Sequence, residues 1–281
     1  MNPARVALAV VASLAGTLAL AADWSSVATA GAVWNSNVTN ANRAGDVIGS
    51  LQLHAEGEAT VARTQLDRDH AATFGFAASA EAWPRFDGLD RVALGPRAAW
   101  RAKFGLGALA PVLSLEAAVD GVAAQESDRD GWDASLRATW RQRYEDGGQL
   151  SLALDWSRLD ARGPVFDRSG AEFAAEYGRD LAESWRWSLG FRWRDGDVLS
   201  YATPPRPDLV GLARVRTTVT TFGAPRVAYS ISGETFAGLL AVSRELDERS
   251  TLTFGYEGRT TRRGGLSYAN HLVSAAVTRQ F

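Results

Sequence analysis

The sequence predicts an all-β protein: a transmembrane, antiparallel up-and-down β-barrel of about twelve strands. Three observations carry this. Apolar and polar residues alternate from about Ser25 to the end, broken by polar turn clusters. Hydrophobic residues make up 46% of the chain and include ten Trp, yet beyond residue 21 no apolar run is long enough to cross a membrane as a helix. In lipid every backbone N–H and C=O must find a partner, so the remaining solution is a closed barrel.

The first residues read as a secretory signal. Met1–Arg5 is a short basic start, Val6–Leu20 an apolar run, and Ala19-Leu20-Ala21 a small-residue cleavage site. Cleavage after residue 21 leaves 22–281 as one barrel domain. No Cys occurs, so lipid attachment at a Cys and disulfides are both excluded. A net charge of −2 gives no basic patch for nucleic acid. Lys103 is the single Lys among the basic residues, a pattern that coding bias explains as well as a need for guanidinium contacts.

The strands are expected as follows. The first is Ser25–Asn35 and the second Val47–Arg63. In the second, Leu51, Leu53, Ala55, Gly57, Ala59 and Val61 share one face; Gln52, His54, Glu56, Glu58 and Thr60 share the other. Carboxylates beside a His cannot face hydrocarbon, so that face is the lumen. Ala71–Trp83 follows. In Arg91–Phe104, Arg97, Arg101 and Lys103 point inward, and Pro96 implies a bulge or an early end. Val112–Gln125 turns Glu116 and Asp120 inward.

The sixth strand is the clearest. Trp132, Ala134, Leu136, Ala138 and Trp140 alternate with Asp133, Ser135, Arg137, Thr139 and Arg141. The two Trp lie roughly 26 Å apart along a strand at ~3.3 Å per residue. A tilt of about 40° makes that a height of about 20 Å, close to the ~25 Å apolar band between aromatic girdles. The ninth strand repeats the spacing with Trp185 and Trp193, while Arg186, Arg192 and Arg194 face in. Between these lie Gln149–Leu159 and Gly170–Asp180, the latter with Glu172 and Glu176 inward.

The longest connection is expected over 195–224. It holds Pro204, Pro205 and Pro207, with Asp208 placed to cap a helical turn over Leu209–Val215. Arg226–Leu246 is a long strand whose parity blurs near Thr235–Gly238, as a bulge would cause. Thr251–Thr260 and Ala269–Phe281 complete the set. Short turns fall on the side of the termini, long loops on the other.

The last strand carries the broadest resemblance. Val273, Ala275, Val277 and Phe281 share one parity, and the chain ends in an aromatic residue. This is similar to the closing strand of Gram-negative outer-membrane barrels. The resemblance implies an outer-membrane location and recognition of Phe281 by the barrel-assembly machinery. Arg279 departs from it by standing on the lipid-facing parity. Asn35-Ser36-Asn37-Val38-Thr39-Asn40-Ala41 resembles a first strand-loop stretch of surface-export barrels, namely polysaccharide secretion proteins and surface lipoprotein assembly modifiers.

The expected pore lining is therefore Glu56, Arg97, Arg101, Glu116, Arg137, Arg141, Glu172, Arg192 and Arg194. It reads either as a charged eyelet for ions and small solutes or as a web of ion pairs filling a narrow barrel. The leading function is a narrow porin-like or export-associated channel, with the bilayer as partner and a small solute or exported cargo as passenger. The alternative is a structural or adhesive barrel acting through the long loop. Enzymatic chemistry is least favoured. The outer-membrane phospholipase places His and Ser two apart on one strand, whereas Glu56, Ala72 and Val273 follow the three His here. No omptin-like rim of acids and His, no metal spacing and no cofactor motif is present.

Overall fold

A computed structural model describes residues 25–281. The signal reading of residues 1–21 lies outside the described residues. Thirteen strands form, and twelve of them close the wall. They are β1 (Ser25–Asn35), β2 (Ser50–Gln65), β3 (His70–Ala82), β4 (Arg91–Lys103), β5 (Val112–Ala124), β6 (Gly131–Arg143), β7 (Gly148–Ala161), β8 (Arg168–Ala182), β9 (Trp185–Ala202), β10 (Val215–Val219), β11 (Arg226–Asp247), β12 (Ser250–Arg263) and β13 (Leu266–Gln280). Each wall strand pairs antiparallel with its neighbours. β13 returns to β1, with Val27 opposite Gln280 and Trp34 opposite Val273, so no edge is left open.

β10 is not part of the wall. β9 and β11 rise above the rest of the barrel, and there β11 has no β12 beside it. β10 takes that place, pairing Val215–Val219 with Arg226–Ser230.

Alternation sets the two faces. Leu94, Trp132 and Leu154 are 61, 66 and 62% exposed on the outside. Charged side chains meet across the inside: Arg192 on β9 reaches Glu257 on β12, past the intervening β11. Trp132, Trp185 and Trp193 are exposed on the outer face, and the ring of Trp140 lies 5.4 Å from that of Phe104. Phe281 follows β13, and its N–H donates to Ser26 O at 2.9 Å. The Arg279 guanidinium sits 5.5 Å over the Phe281 ring, so the exception to the apolar parity is held at the interface by an aromatic face.

Several expectations need correction. Val61 does not continue the outer face of β2. The register shifts between Thr60 and Ala62, so Ala62 takes the place opposite Phe74; one extra residue flips parity, which alternation alone cannot show. Pro96 neither bulges nor ends β4. The strand runs through, and the ladder to β5 merely lacks pairs between Leu94 and Arg97. The β11 irregularity lies at Glu245/Asp247, not at Thr235–Gly238, which pair in register on both sides. β9 continues to Ala202, so the long connection is 203–225 and not 195–224. Its single helical turn, α1, spans Pro207–Val210. Pro207 opens it, and Asp208 sits within the first turn rather than capping it.

Candidate pore and its cap

The end away from the termini is narrowed by loops. The first connection, 36–49, bends inward. The Asn37 amide bridges backbone: its Nδ2 donates to Ala41 O (2.9 Å) and Ala269 O (3.1 Å), and its Oδ1 accepts from Ala41 N (3.0 Å). Asn40 Nδ2 donates to Leu199 O at 2.8 Å, and Tyr201 N donates to Thr39 O at 2.8 Å. Asn270 Nδ2 donates to Asn37 O (2.6 Å) and Asn40 Oδ1 (3.0 Å). The loop thus ties β1 to β9, which lies a third of the way round the wall. Its buried Asn and Thr side chains do what a strand ladder does elsewhere, satisfying backbone groups away from water.

The long connection locks onto it. Arg206, only 1% exposed, pairs with Asp46 at 3.1 Å and Asp208 at 2.8 Å. Arg226 adds a second pair to Asp46 at 3.2 Å, and Thr203 N donates to the same carboxylate at 2.9 Å. Burial alone would raise the Asp46 carboxyl. Hydrogen bonds from Thr203 and the guanidinium groups of Arg226 and Arg206 outweigh that and hold it below the usual range. The hydrogen bond from Arg206 brings the Asp208 carboxyl down to about 2.

An apolar cluster packs among these loops. Trp83, Phe86, Phe166, Tyr201, Val219 and Phe222 are buried together, with Val38 and Ile48 of the first loop packed on them. The Phe222 ring lies 5.1 Å from Phe86 and 4.9 Å from Tyr201, both edge to face.

Beneath this cap, inside the wall, is a cavity of about 530 Å³. Of the residues expected to line a pore, Glu172, Arg192 and Arg194 border it. Arg192 lies 3.9 Å from Glu172 and 3.4 Å from Glu257. Further along the barrel, Arg97 pairs with Asp120 at 2.8 Å and Arg137 with Asp155 at 3.0 Å. Glu56, Arg101, Glu116 and Arg141 share the inner parity. Among the described residues none of these four has an ion-pair partner within 4.0 Å. The inner charges are thus a mixture: some closed into pairs, others left to water or solute.

The cavity also takes charged residues outside the expected pore lining: Arg91, Arg168 and Asp197, and, from the inner parity that the sequence assigns, Asp133 and Arg259. Arg168 shares parity with Glu172, but the strand had been drawn to begin at Gly170. The signal was present and lost to a short boundary. The His residues do not gather. His54 packs against Gly31, where a Cβ would stand 2.7 Å from the ring. His70 pairs with Asp67 in the β2–β3 turn, and His271 with the Tyr256 hydroxyl at 2.8 Å.

No protein-family model matches the chain, and no curated protein matches it in sequence. Solved structures do match in fold. An outer membrane channel from Pseudomonas putida F1 superposes with a TM-score of 0.59 over 92% of this chain and 95% of that one, at 10% identity. The chain is a β-barrel of the outer-membrane type. The NanC porin (TM-score 0.47, 4% identity, 90% of this chain and 98% of that one) and the KdgM porin in complex with oligogalacturonate (0.44, 9%, 91% and 99%) are more distant. Likeness at these identities speaks for the architecture alone. The closed wall and apolar exterior of this chain agree with it.

Proposed function

We propose that this protein is a narrow channel in the outer membrane of a Gram-negative bacterium, passing small polar solutes through a mouth restricted by its own loops. The observation that carries the reading is the polar cavity of about 530 Å³ enclosed by the wall, with charged groups continuing along the inner face below it. A barrel whose only task was to anchor loops would gain nothing from an inner face with unpaired charges, which are costly away from water. In this reading Glu56, Arg97, Arg101, Glu116, Arg137, Arg141, Glu172, Arg192 and Arg194 line the path. Trp132, Trp140, Trp185 and Trp193 mark the membrane girdles. Residues 1–21 direct export, and Phe281 is the signal for barrel assembly. The long connection has its place in the cap, where Arg206, Leu209 and Phe222 are buried.

Liposome swelling tests this. Vesicles holding the refolded protein should swell in isosmotic small solutes and exclude large sugars. Vesicles that stay impermeable to every solute small enough for the cavity would overturn the channel.

A further inference from the structure

The cavity beneath the cap has two unlike halves. Its ceiling is apolar and aromatic: Trp83, Leu89, Phe166 and Tyr201 come from the cap side. Its wall is charged, and most of those charges are spoken for. Arg91 is held by Glu81 at 2.5 Å. Arg129 is held by Glu126 and by the Tyr201 hydroxyl, both at 3.0 Å, and stacks 4.4 Å over Phe166. Arg192 and Arg259 share Glu257. Asp197 is matched by Arg214 at 2.5 Å.

Two guanidinium groups remain. Arg168 and Arg194 both border the cavity from the adjacent strands β8 and β9. Among the described residues neither has a carboxylate within 4.0 Å. The one acid left over is Asp133 on β6. It is separated from Arg168 by the whole of β7, since Asp133 pairs with Leu159 and Leu159 with Arg168. Asp133 lies beyond ion-pair reach of Arg168 but close enough for the two charges to attract, so two Arg against one Asp leave the wall net positive. Glycines bring the backbones of β8 and β9 close together beside them, a Cβ on Gly196 falling 2.5 Å from Gly170 Cα. Gly170 and Gly196 face each other, and Gly196 faces Gly233 on the next strand. A Cβ on Gly170 would stand 2.9 Å from the Arg194 Nη2. The Arg194 guanidinium thus rests against Gly170.

We infer that this cavity binds a small apolar carboxylate, an aryl or branched organic acid, with its acid group on Arg168 and Arg194 and its apolar body under the aromatic ceiling. Guanidinium binds carboxylate through two parallel hydrogen bonds, and pockets of roughly 300–1,000 Å³ with an apolar lining and a few convergent polar groups suit ligands of this kind. A bound anion would also complete the counter-charge that Asp133 alone does not balance. The inference deepens the channel reading and rests on it for one thing, that solutes reach the cavity.

Calorimetric titration of the refolded full chain with benzoate, benzyl alcohol and acetate tests it, alongside conductance in a planar bilayer. Benzoate should bind about tenfold or more tightly than either benzyl alcohol, which lacks the charge, or acetate, which lacks the ring. Arg168→Gln with Arg194→Gln should remove that preference, with folding checked by circular dichroism. Equal binding of benzoate and benzyl alcohol, or of benzoate and acetate, on the unaltered protein would overturn the inference; so would undiminished benzoate binding by the folded double variant. The two readings fail separately. A barrel that conducts yet ignores benzoate rejects the site and keeps the channel. One that binds benzoate yet never conducts rejects the channel and keeps the site.

Discussion

The wall and the cap hold themselves together by opposite means. In the wall each strand is satisfied by its sequence neighbours, through a ladder that depends on backbone and on the parity of apolar residues. In the cap the bonds join residues far apart in the chain. Asn40 meets Leu199, Arg206 meets Asp46, and Asn270 meets Asn37. Each of those bonds needs one particular side chain. The wall should therefore tolerate exchange among like residues wherever backbones keep their distance, and the cap should yield to single substitutions.

The sharpest way to break the wall is to force two backbones apart. At Gly95 a Cβ would stand 1.9 Å from Val119 O, in the stretch where Pro96 already thins the ladder. Gly95→Val should prevent assembly of a folded barrel, read as loss of heat-resistant compact migration on gels; normal folding would show that β4 and β5 can separate there. Arg206→Ala comes next and should leave the wall intact. Stripping a buried carboxylate of one partner costs about 3 kcal/mol, so the cap should open on the order of a hundredfold more often. Hydrogen exchange and limited proteolysis over 203–225 measure that; unchanged protection would mean that Arg226 alone holds Asp46. Asn37→Ala should loosen the first loop by about 2 kcal/mol, because Ala41 N and two carbonyls lose their partner. Exchange at Ala41 and Tyr201 reads it.

Acid offers the mildest perturbation. The Asp208 carboxyl is depressed in the folded cap from 3.8 to about 2, and Asp46 is lowered too. A depressed carboxylate contributes stability above its unfolded value and loses it as pH falls through its folded value. The cap should hold at neutral pH and loosen progressively from about pH 4 towards 2, while the wall stays closed. Exposure of Asp208 makes its share small. A cap equally protected at pH 7 and pH 2 would show that these carboxylates do not latch it.

The same contrast explains what could be read from the sequence. The wall was legible because period-two alternation is a local code: Trp132 to Trp140 declares its face without help from the rest of the chain. It failed where one residue breaks the count, as at Val61, or where a strand rises past its neighbour, as β9 does to Ala202. The cap was not legible. Asn37 and Thr39 stood out as a motif, but nothing local says that they fold inward to bond β9. Arg206 was just another base in a proline-rich loop until Asp46 came beside it. Arg168 escaped for a simpler reason: it stands on the inner parity two residues before the expected start of its strand at Gly170.

Single-channel recording in a planar bilayer, with the unaltered protein beside Arg206→Ala, tests the central claim most directly. A channel restricted by its cap should give small, discrete conductance steps that grow or lengthen in the variant. Silence from both, with the wall folded, would contradict it.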